Sequence, residues 1–273
     1  MARKPTLSPS RISTYLACPV KYRWSFLDPR GKFFFRSRSY FSFGTSLHNV
    51  LQRFHDSGDK GVETADQAIA ALEENWITAG YSSPEEATAS LAEGRDLIEQ
   101  YVDSHVALGA GVQTLFTEKQ FRVDLGDFVL IGRVDRIDEH EDGSLEIVDY
   151  KSGRDSTSED ELLNDLAMNC YQLMVHHHFP EKRVLSSILA LRSGHKATTE
   201  PSEKLLKEFR IDLIELAEEI LNREFENIKP IVKPICPHCD FLALCQRDSE
   251  FADELSLQIR QTSNNRNVTK EDM

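Results

Sequence analysis

The chain has 273 residues, 40% apolar and 28% charged, an ordinary soluble composition long enough to bury a core as one large domain or two small ones. Its formal charge of −13 argues against a protein that coats nucleic acid by bulk electrostatics, and no apolar run approaches the roughly 20 residues of a membrane span. Five cysteines, odd in number and clustered, do not suit a secreted disulfide framework; with no apolar leader after "MARKPTLSPS", they point to metal binding in a reducing cytoplasm.

The first forty residues carry nine Lys/Arg against one acid, Asp28, whereas residues 41–110 carry twelve acids against three bases. The basic stretch reads either as a solvated face or as a local nucleic-acid surface on an acidic protein. "LSPSRISTYLAC" predicts a helix: Ser8 is the N-cap, Pro9 fits the first helical position, and Ile12, Tyr15 and Leu16 share a face. "PVKYRWSFLDPRGKFFFRSRSYF" is aromatic, basic and interrupted by "DPRG", so a loop or short elements are expected. A second helix over "SFGTSLHNVLQRFHDSG" has Leu47, Leu51 and Phe54 on one side and stops at "SG". Residues 63–80 and 84–108 are two further helical stretches, which makes 41–110 a helical region.

The period then changes. "GVQTLFTEKQFRVDL", "FVLIGRVDRIDEH" and "SLEIVDYKSG" alternate or run apolar between the turn signals "DLGD" and "EDGS", which predicts three strands in an antiparallel meander. Residues 159–178 are helical, "RVLSSILALRSG" is a fourth strand, and 202–227 is a long amphipathic helix. The run "PICPHCDFLALC" follows, and 259–273 is polar, has nothing to bury and is expected to be disordered. The whole reads as α+β, a small sheet flanked by helices.

Two acids stand at strand ends. Asp135 follows an apolar run in "LIGRVDRID", and Asp149 ends another in "LEIVDYKSG", with Lys151 two residues on. Residues two apart on a strand share a face, so Asp149 and Lys151 project into one site, and a hairpin through "EDGS" brings Asp135 near them. Charge there is costly unless it is used or paired. Two carboxylates beside an ammonium can cradle a hard divalent cation and a phosphate; a plain surface Asp–Lys pair is the alternative. His48, in "GTSLHNVLQ", sits on a helix otherwise apolar toward the core and reads as structural or as a ligand. Gln172 lies in "CYQLMVHHHF", whose triplet His176–His178 fans around a helix and cannot serve one ion together. Cys236, Cys239 and Cys245 have the crowding of a metal site short of a fourth ligand, and Cys170 reads as a buried structural thiol.

The order "GTSLHNVLQ", "GRVDRID", "IVDYKSG", "YQLMVHHH" resembles the RecB-type branch of the PD-(D/E)XK nuclease superfamily. Iron–sulfur members of that branch, such as the AddB nuclease domain and certain CRISPR-associated nucleases, carry one cysteine before the core and three after it. Cys18, in "YLACPVKYRW", and the trio Cys236, Cys239 and Cys245 match that pattern. The resemblance spans residues 8 to about 247. It implies one nuclease domain over 1–258 with a restriction-endonuclease-like sheet core at 112–195, an N-terminal helical region and a cluster-binding clasp at 236–245.

The same resemblance implies His48, Asp135 and Asp149 as metal ligands, joined by the backbone carbonyl of Tyr150. Lys151 is then the catalytic lysine, and Gln172 a supporting or DNA-contacting residue. The family's Tyr four residues after that Gln is His176 here, and Glu118, in "LFTEKQF", falls where relatives often carry an acid on the first strand. Oxygen ligands suit Mg²⁺, and an imidazole shifts preference toward Mn²⁺. Spacing alone admits either a Cys₄ zinc site or a [4Fe–4S] cluster; the resemblance implies the cluster, as a structural staple. The implied function is a DNA exonuclease on single-stranded ends in repair or recombination. Its rivals are a CRISPR-associated nuclease trimming spacer precursors, a catalytically silent cluster-bearing DNA-binding module and a zinc-ribbon interaction protein. No Walker A motif is present, so a helicase or repair partner would act in trans.

Overall fold

The computed structural model describes residues 4–56, 61–108 and 112–271. Its elements begin with β1 (Thr6–Leu7), α1 (Pro9–Ala17), α2 (Pro19–Tyr22), a π-helical turn (Arg23–Leu27) and a 3-10 turn (Pro29–Phe33). Three helices follow, α3 (Ser39–His55), α4 (Ala65–Glu74) and α5 (Pro84–Leu108), then the strands β2 (Val112–Asp124), β3 (Val129–His140) and β4 (Leu145–Lys151). Next come α6 (Glu159–Leu163), α7 (Leu166–His178), β5 (Val184–Ala190), β6 (His195–Thr199) and α8 (Glu203–Asn222). A 3-10 turn (Cys236–His238), α9 (Leu242–Cys245) and α10 (Ser249–Glu271) end the chain. Where one domain is expected over 1–258, the contacts divide the chain into two compact units, Met1–Pro9 with Ser37–Glu218, and Ser10–Arg36 with Glu219–Met273.

In the first unit the three expected strands form the antiparallel meander β2–β3–β4. β4 and β5 are parallel, with Asp149 beside Ile188, and such a pair needs the crossover that α6 and α7 supply. β6 adds an antiparallel edge on β5, and β1 lies parallel to the start of β3. The result is a mixed sheet in the order β1-β3-β4-β5-β6, with β2 along the other edge of β3. β1 and β6 have no counterpart in the sequence pattern.

Val148 and Tyr150 of β4 pack with Leu47 and Leu51 of α3, Leu72 of α4 and Ile98 of α5 in one buried cluster. At about 1.5–3 kcal/mol for each large apolar side chain buried, this packing fixes α3 on the sheet, and His48 with it. Gly44, one turn earlier, allows the approach, since a Cβ there would lie 3.0 Å from Ser152 Oγ. Ser46 Oγ accepts the Ile77 amide at 3.1 Å and Ser42 Oγ donates to the Ala79 carbonyl at 2.6 Å, which ties α3 to the α4–α5 connection. α7 rests on β3 at Gly132, where a Cβ would collide with Met174 Cε and lie 3.0 Å from Tyr171 Cε1.

The helix expected over 159–178 is two helices. Asp165 accepts the Met168 amide at 2.8 Å and so caps a fresh N-terminus at α7. α10 continues to Glu271 through most of the segment expected to be disordered, with no Gly or Pro to stop it. The "SG" stop after α3 lies outside the described residues.

The second unit joins two distant segments around aromatic side chains. Tyr22 stacks on Phe225 with centroids 5.3 Å apart, and Tyr15 meets Tyr22 edge-on at 5.7 Å. Tyr15 Oη donates to Glu219 at 2.5 Å and accepts from Arg223 at 2.8 Å, while Lys233 Nζ donates to the Ala17 carbonyl at 2.9 Å. Among the described residues, no helix is long and apolar enough to cross a membrane.

Candidate active site

β3 and β4 pair from Glu139 opposite Leu145 to Arg136 opposite Val148, and there they part. The next residues, Asp135 and Asp149, line the fork. The Tyr150 amide bridges it by donating to Asp135 Oδ2 at 2.9 Å. On the other side of Asp135, Glu118 stands between the pairs Thr117–Arg136 and Lys119–Val134. Its φ is +48°, in the left-handed region, where a non-glycine residue costs of order 1–3 kcal/mol and persists only if its surroundings impose it. Arg133 Nε holds the Glu118 carboxylate at 2.8 Å.

From α3, His48 places Nδ1 3.4 Å from Asp135 Oδ2 and 3.9 Å from Glu118 Oε1. Its Nε2 lies 3.1 Å from the Tyr150 carbonyl and donates to it, which turns Nδ1 toward the carboxylates. The carbonyl expected as a metal ligand is thus engaged in orienting the histidine. His48, Glu118 and Asp135 offer ligand atoms that all lie within 4.8 Å of one another.

The electrostatics match a site built for a cation. Burial would depress the His48 pKa, but Asp135, Asp149 and Glu118 together outweigh it and raise it. Burial, then the charge of Asp135, raises Glu118. Burial pushes Asp149 up to about 6 against the pull of Lys151, whose Nζ lies 2.6 Å from Asp149 Oδ2. Burial alone would lower Lys151; Asp149, Asp165 and Asp135 instead keep it protonated. Converging carboxylates and one imidazole form a donor set that a hard or borderline divalent cation would neutralise.

Behind the fork, the side chain of Tyr150 is pinned. Arg136 Nη1 donates to Tyr150 Oη at 2.8 Å, to Tyr101 Oη at 2.5 Å and to His55 Nε2 at 2.5 Å. Arg136 Nη2 lies 3.0 Å from Asp138 Oδ2, and Thr114 Oγ1 donates to Asp138 Oδ1 at 2.8 Å. This buried network fixes the residue whose main-chain N–H and C=O both belong to the site.

The fork therefore brings together His48, Asp135, Asp149, the Tyr150 backbone and Lys151, and adds Glu118. Gln172 is not among them: it is fully buried and donates to the Val184 carbonyl at 3.1 Å and to Ser186 Oγ at 2.7 Å, locking α7 to β5. His176 lies beside Glu203 and Glu200. Tyr171, whose ring packs on Gly132, is the α7 residue whose ionisation the two aspartates influence. Burial, then Asp149 and Asp135, raises its phenol pKa, so the hydroxyl stays protonated as a donor. The only sequence signal for it is its place directly before Gln172.

In the second unit Cys18, Cys236, Cys239 and Cys245 line one cavity together with Phe241 and Phe251. Cys18 Sγ accepts the Lys21 amide at 3.4 Å and Cys236 Sγ the Lys233 amide at 3.3 Å. Burial pushes Cys245 up to about 12, and its neighbours Cys239, Cys18 and Cys236 add to the rise. Four cysteine sulfurs thus line one cavity, and two of them accept backbone N–H groups. Cys170 is buried in α7, outside that group.

The model of the PD-(D/E)XK nuclease superfamily matches residues 6–246. An ATP-dependent helicase/deoxyribonuclease subunit of Streptococcus pyogenes serotype M49 (strain NZ131) is 34% identical over 115 residues, 40% of this chain and 10% of that protein. Its counterpart in serotype M12 (strain MGAS2096) is 33% identical over 115 residues, again 10% of its length. The match thus spans about a tenth of these relatives. Among solved structures, SSO0001 aligns over 76% of this chain and 95% of that one, with 14% identity and a TM-score of 0.35.

Proposed function

Because the chain belongs to the PD-(D/E)XK nuclease superfamily, we propose that it is a metal-dependent DNA nuclease of the RecB type, an exonuclease on single-stranded ends in repair or recombination. The observation that carries this reading is the convergence of His48, Glu118, Asp135, Asp149 and Lys151 at the fork of β3 and β4. His48, Glu118, Asp135 and Asp149 would hold Mg²⁺ or Mn²⁺. When bound there, such a cation would supply Lewis-acid activation of water and charge neutralisation at a phosphate.

The protein's own groups do the rest. Asp135 is fixed by the Tyr150 amide and His48 by the Tyr150 carbonyl, so the ligands are oriented before substrate arrives. Lys151 stays protonated beside Asp149 and places positive charge where negative charge develops on the phosphate. Tyr171, protonated, can donate a hydrogen bond to the same phosphate. With an imidazole among the ligands, Mn²⁺ should support cleavage at least as well as Mg²⁺. Relatives named as helicase/deoxyribonuclease subunits support DNA as the substrate and a helicase partner in trans.

The cysteine site is assigned a [4Fe–4S] cluster with a structural role, joining Cys18 to the three C-terminal cysteines. Its support is the shared cavity, the N–H donors to sulfur and the cysteine pattern of the iron–sulfur branch.

The test uses anaerobically purified protein on end-labelled single- and double-stranded DNA with Mg²⁺ or Mn²⁺. Asp149→Ala and Lys151→Ala should each lower the rate by about a hundredfold or more. If wild type cuts no better than either variant, the nuclease reading fails.

A further inference from the structure

The basic, aromatic stretch between α2 and α3 has no part in the fork, yet it is firmly built. Residues 10–36 hold six Lys/Arg and one acid, on a chain of net charge −13. The acid, Asp28, caps the 3-10 turn by accepting from the Arg30 amide at 3.0 Å and pairs with the Arg30 guanidinium at 2.6 Å and with Arg23 at 3.7 Å. Gly31 is locked against the preceding turn: a Cβ there would overlap the Trp24 carbonyl oxygen. The guanidinium groups of Arg23 and Arg30 sit 5.0 and 5.3 Å from the Trp24 ring centroid, and Lys32 Nζ lies 5.0 Å from that of Phe33.

This rigid frame holds large apolar rings in solvent. Phe33 is 77% exposed, and Phe35 is 54% exposed with one edge against buried Phe241 at 5.3 Å. Among the described residues, neither Lys32 nor Arg36 has an ion pair. Two exposed phenylalanines on a braced turn, interleaved with Lys32 and Arg36, suit a ligand that is both flat and anionic. Protein interfaces are depleted in lysine, whereas single-stranded nucleic acid takes this combination: its bases stack on aromatic faces while its phosphates meet Lys and Arg.

We propose that Lys32, Phe33, Phe35 and Arg36 form a stacking platform for single-stranded DNA in the second unit. The proposal rests on the nuclease reading only for the choice of DNA as the nucleic acid.

Binding of the full chain to a fluorescein-labelled oligothymidylate of about twenty nucleotides, followed by anisotropy at low salt in EDTA, tests it. Phe33→Ala combined with Phe35→Ala should weaken Kd about tenfold or more, and an abasic oligonucleotide of equal length should bind wild type as poorly. Lys32→Ala and Arg36→Ala should each flatten the slope of log K against log salt by about 0.7. Phe33 is the more exposed ring, so Phe33→Ala alone should weaken binding with unchanged circular dichroism and melting; Phe35→Ala also removes the ring packed on buried Phe241, so its melting is read beside its binding. Binding by the double phenylalanine variant within about twofold of wild type, or equal binding of abasic and thymidine strands, overturns the platform, as does binding to anionic lipid vesicles without binding to the oligonucleotide. Cleavage by wild type with Mn²⁺ is scored in parallel. Intact cleavage with unchanged binding in the variants sinks the platform alone, and lost binding with no wild-type cleavage sinks the nuclease reading alone.

Discussion

Glu118 owes its place beside His48 and Asp135 to one backbone angle, the φ of +48° that turns its carboxylate into the fork. Glu118→Gln keeps the side-chain shape and removes the charge, so the fold should hold while Mn²⁺ affinity falls about 10–100-fold, a difference calorimetric titration would read directly. His55, behind the fork, gives a prediction in pH. Burial, then Arg136 and His105, holds its folded pKa down to about 2, while the unfolded chain takes up the proton near about 6.5. The folded state therefore loses up to about 1.4 kcal/mol per pH unit as pH drops below that value. Asp149 works in the opposite sense: its folded pKa is raised to about 6, so its contribution falls as pH rises from about 4 toward 6. His55→Asn should remove the acid-side loss and leave the Asp149 trend, as urea unfolding between about pH 7 and pH 5 would show. Asp135, Asp149 and Lys151 stood out in the sequence because apolar runs end at them, whereas His48 entered only through the resemblance of its motif order to the nuclease family. Glu118 stayed at the margin because residue identity does not encode a strained dihedral.

At the scale of elements, the phase of α7 decides which of its residues meets the site. A motif spacing points to Gln172, but the helix is turned so that Gln172 bonds β5 while Tyr171 and Met174 press on Gly132. One residue is about 100° of helix, and that rotation is set by a glycine on another strand, not by α7 itself. Gly132→Ala should cost about 1–3 kcal/mol in urea unfolding, because Met174 is wholly buried and its methyl has little room to retreat. The same variant should lower kcat through displaced Tyr171. The meander was legible from alternation and the turns at "DLGD" and "EDGS". β1, with two residues, and β6, with five, are too short to show a period, and only their partners β3 and β5 define them.

At the scale of the whole molecule, the chemistry and the cysteines lie in different units. Asp149→Ala should then abolish cleavage yet keep iron, whereas Cys18→Ser or Cys239→Ser should lose iron and melt earlier, measured by metal analysis and thermal unfolding. A link from residue 18 to residue 236 restricts the unfolded chain by on the order of 5 kcal/mol on a chain-entropy model, which is the stability at stake. The division into units was not visible in the sequence, because each unit combines stretches that no local pattern connects. One of those combinations has a consequence during synthesis. Residues 10–36 belong with residues from 219 onward, so their partners leave the ribosome roughly 180 residues later. At about 5–20 residues per second that is roughly 10–40 s in which Tyr15, Tyr22 and a lone N-terminal thiol wait for their partners, a window in which a holding chaperone and a late-arriving cluster donor would both find their substrate.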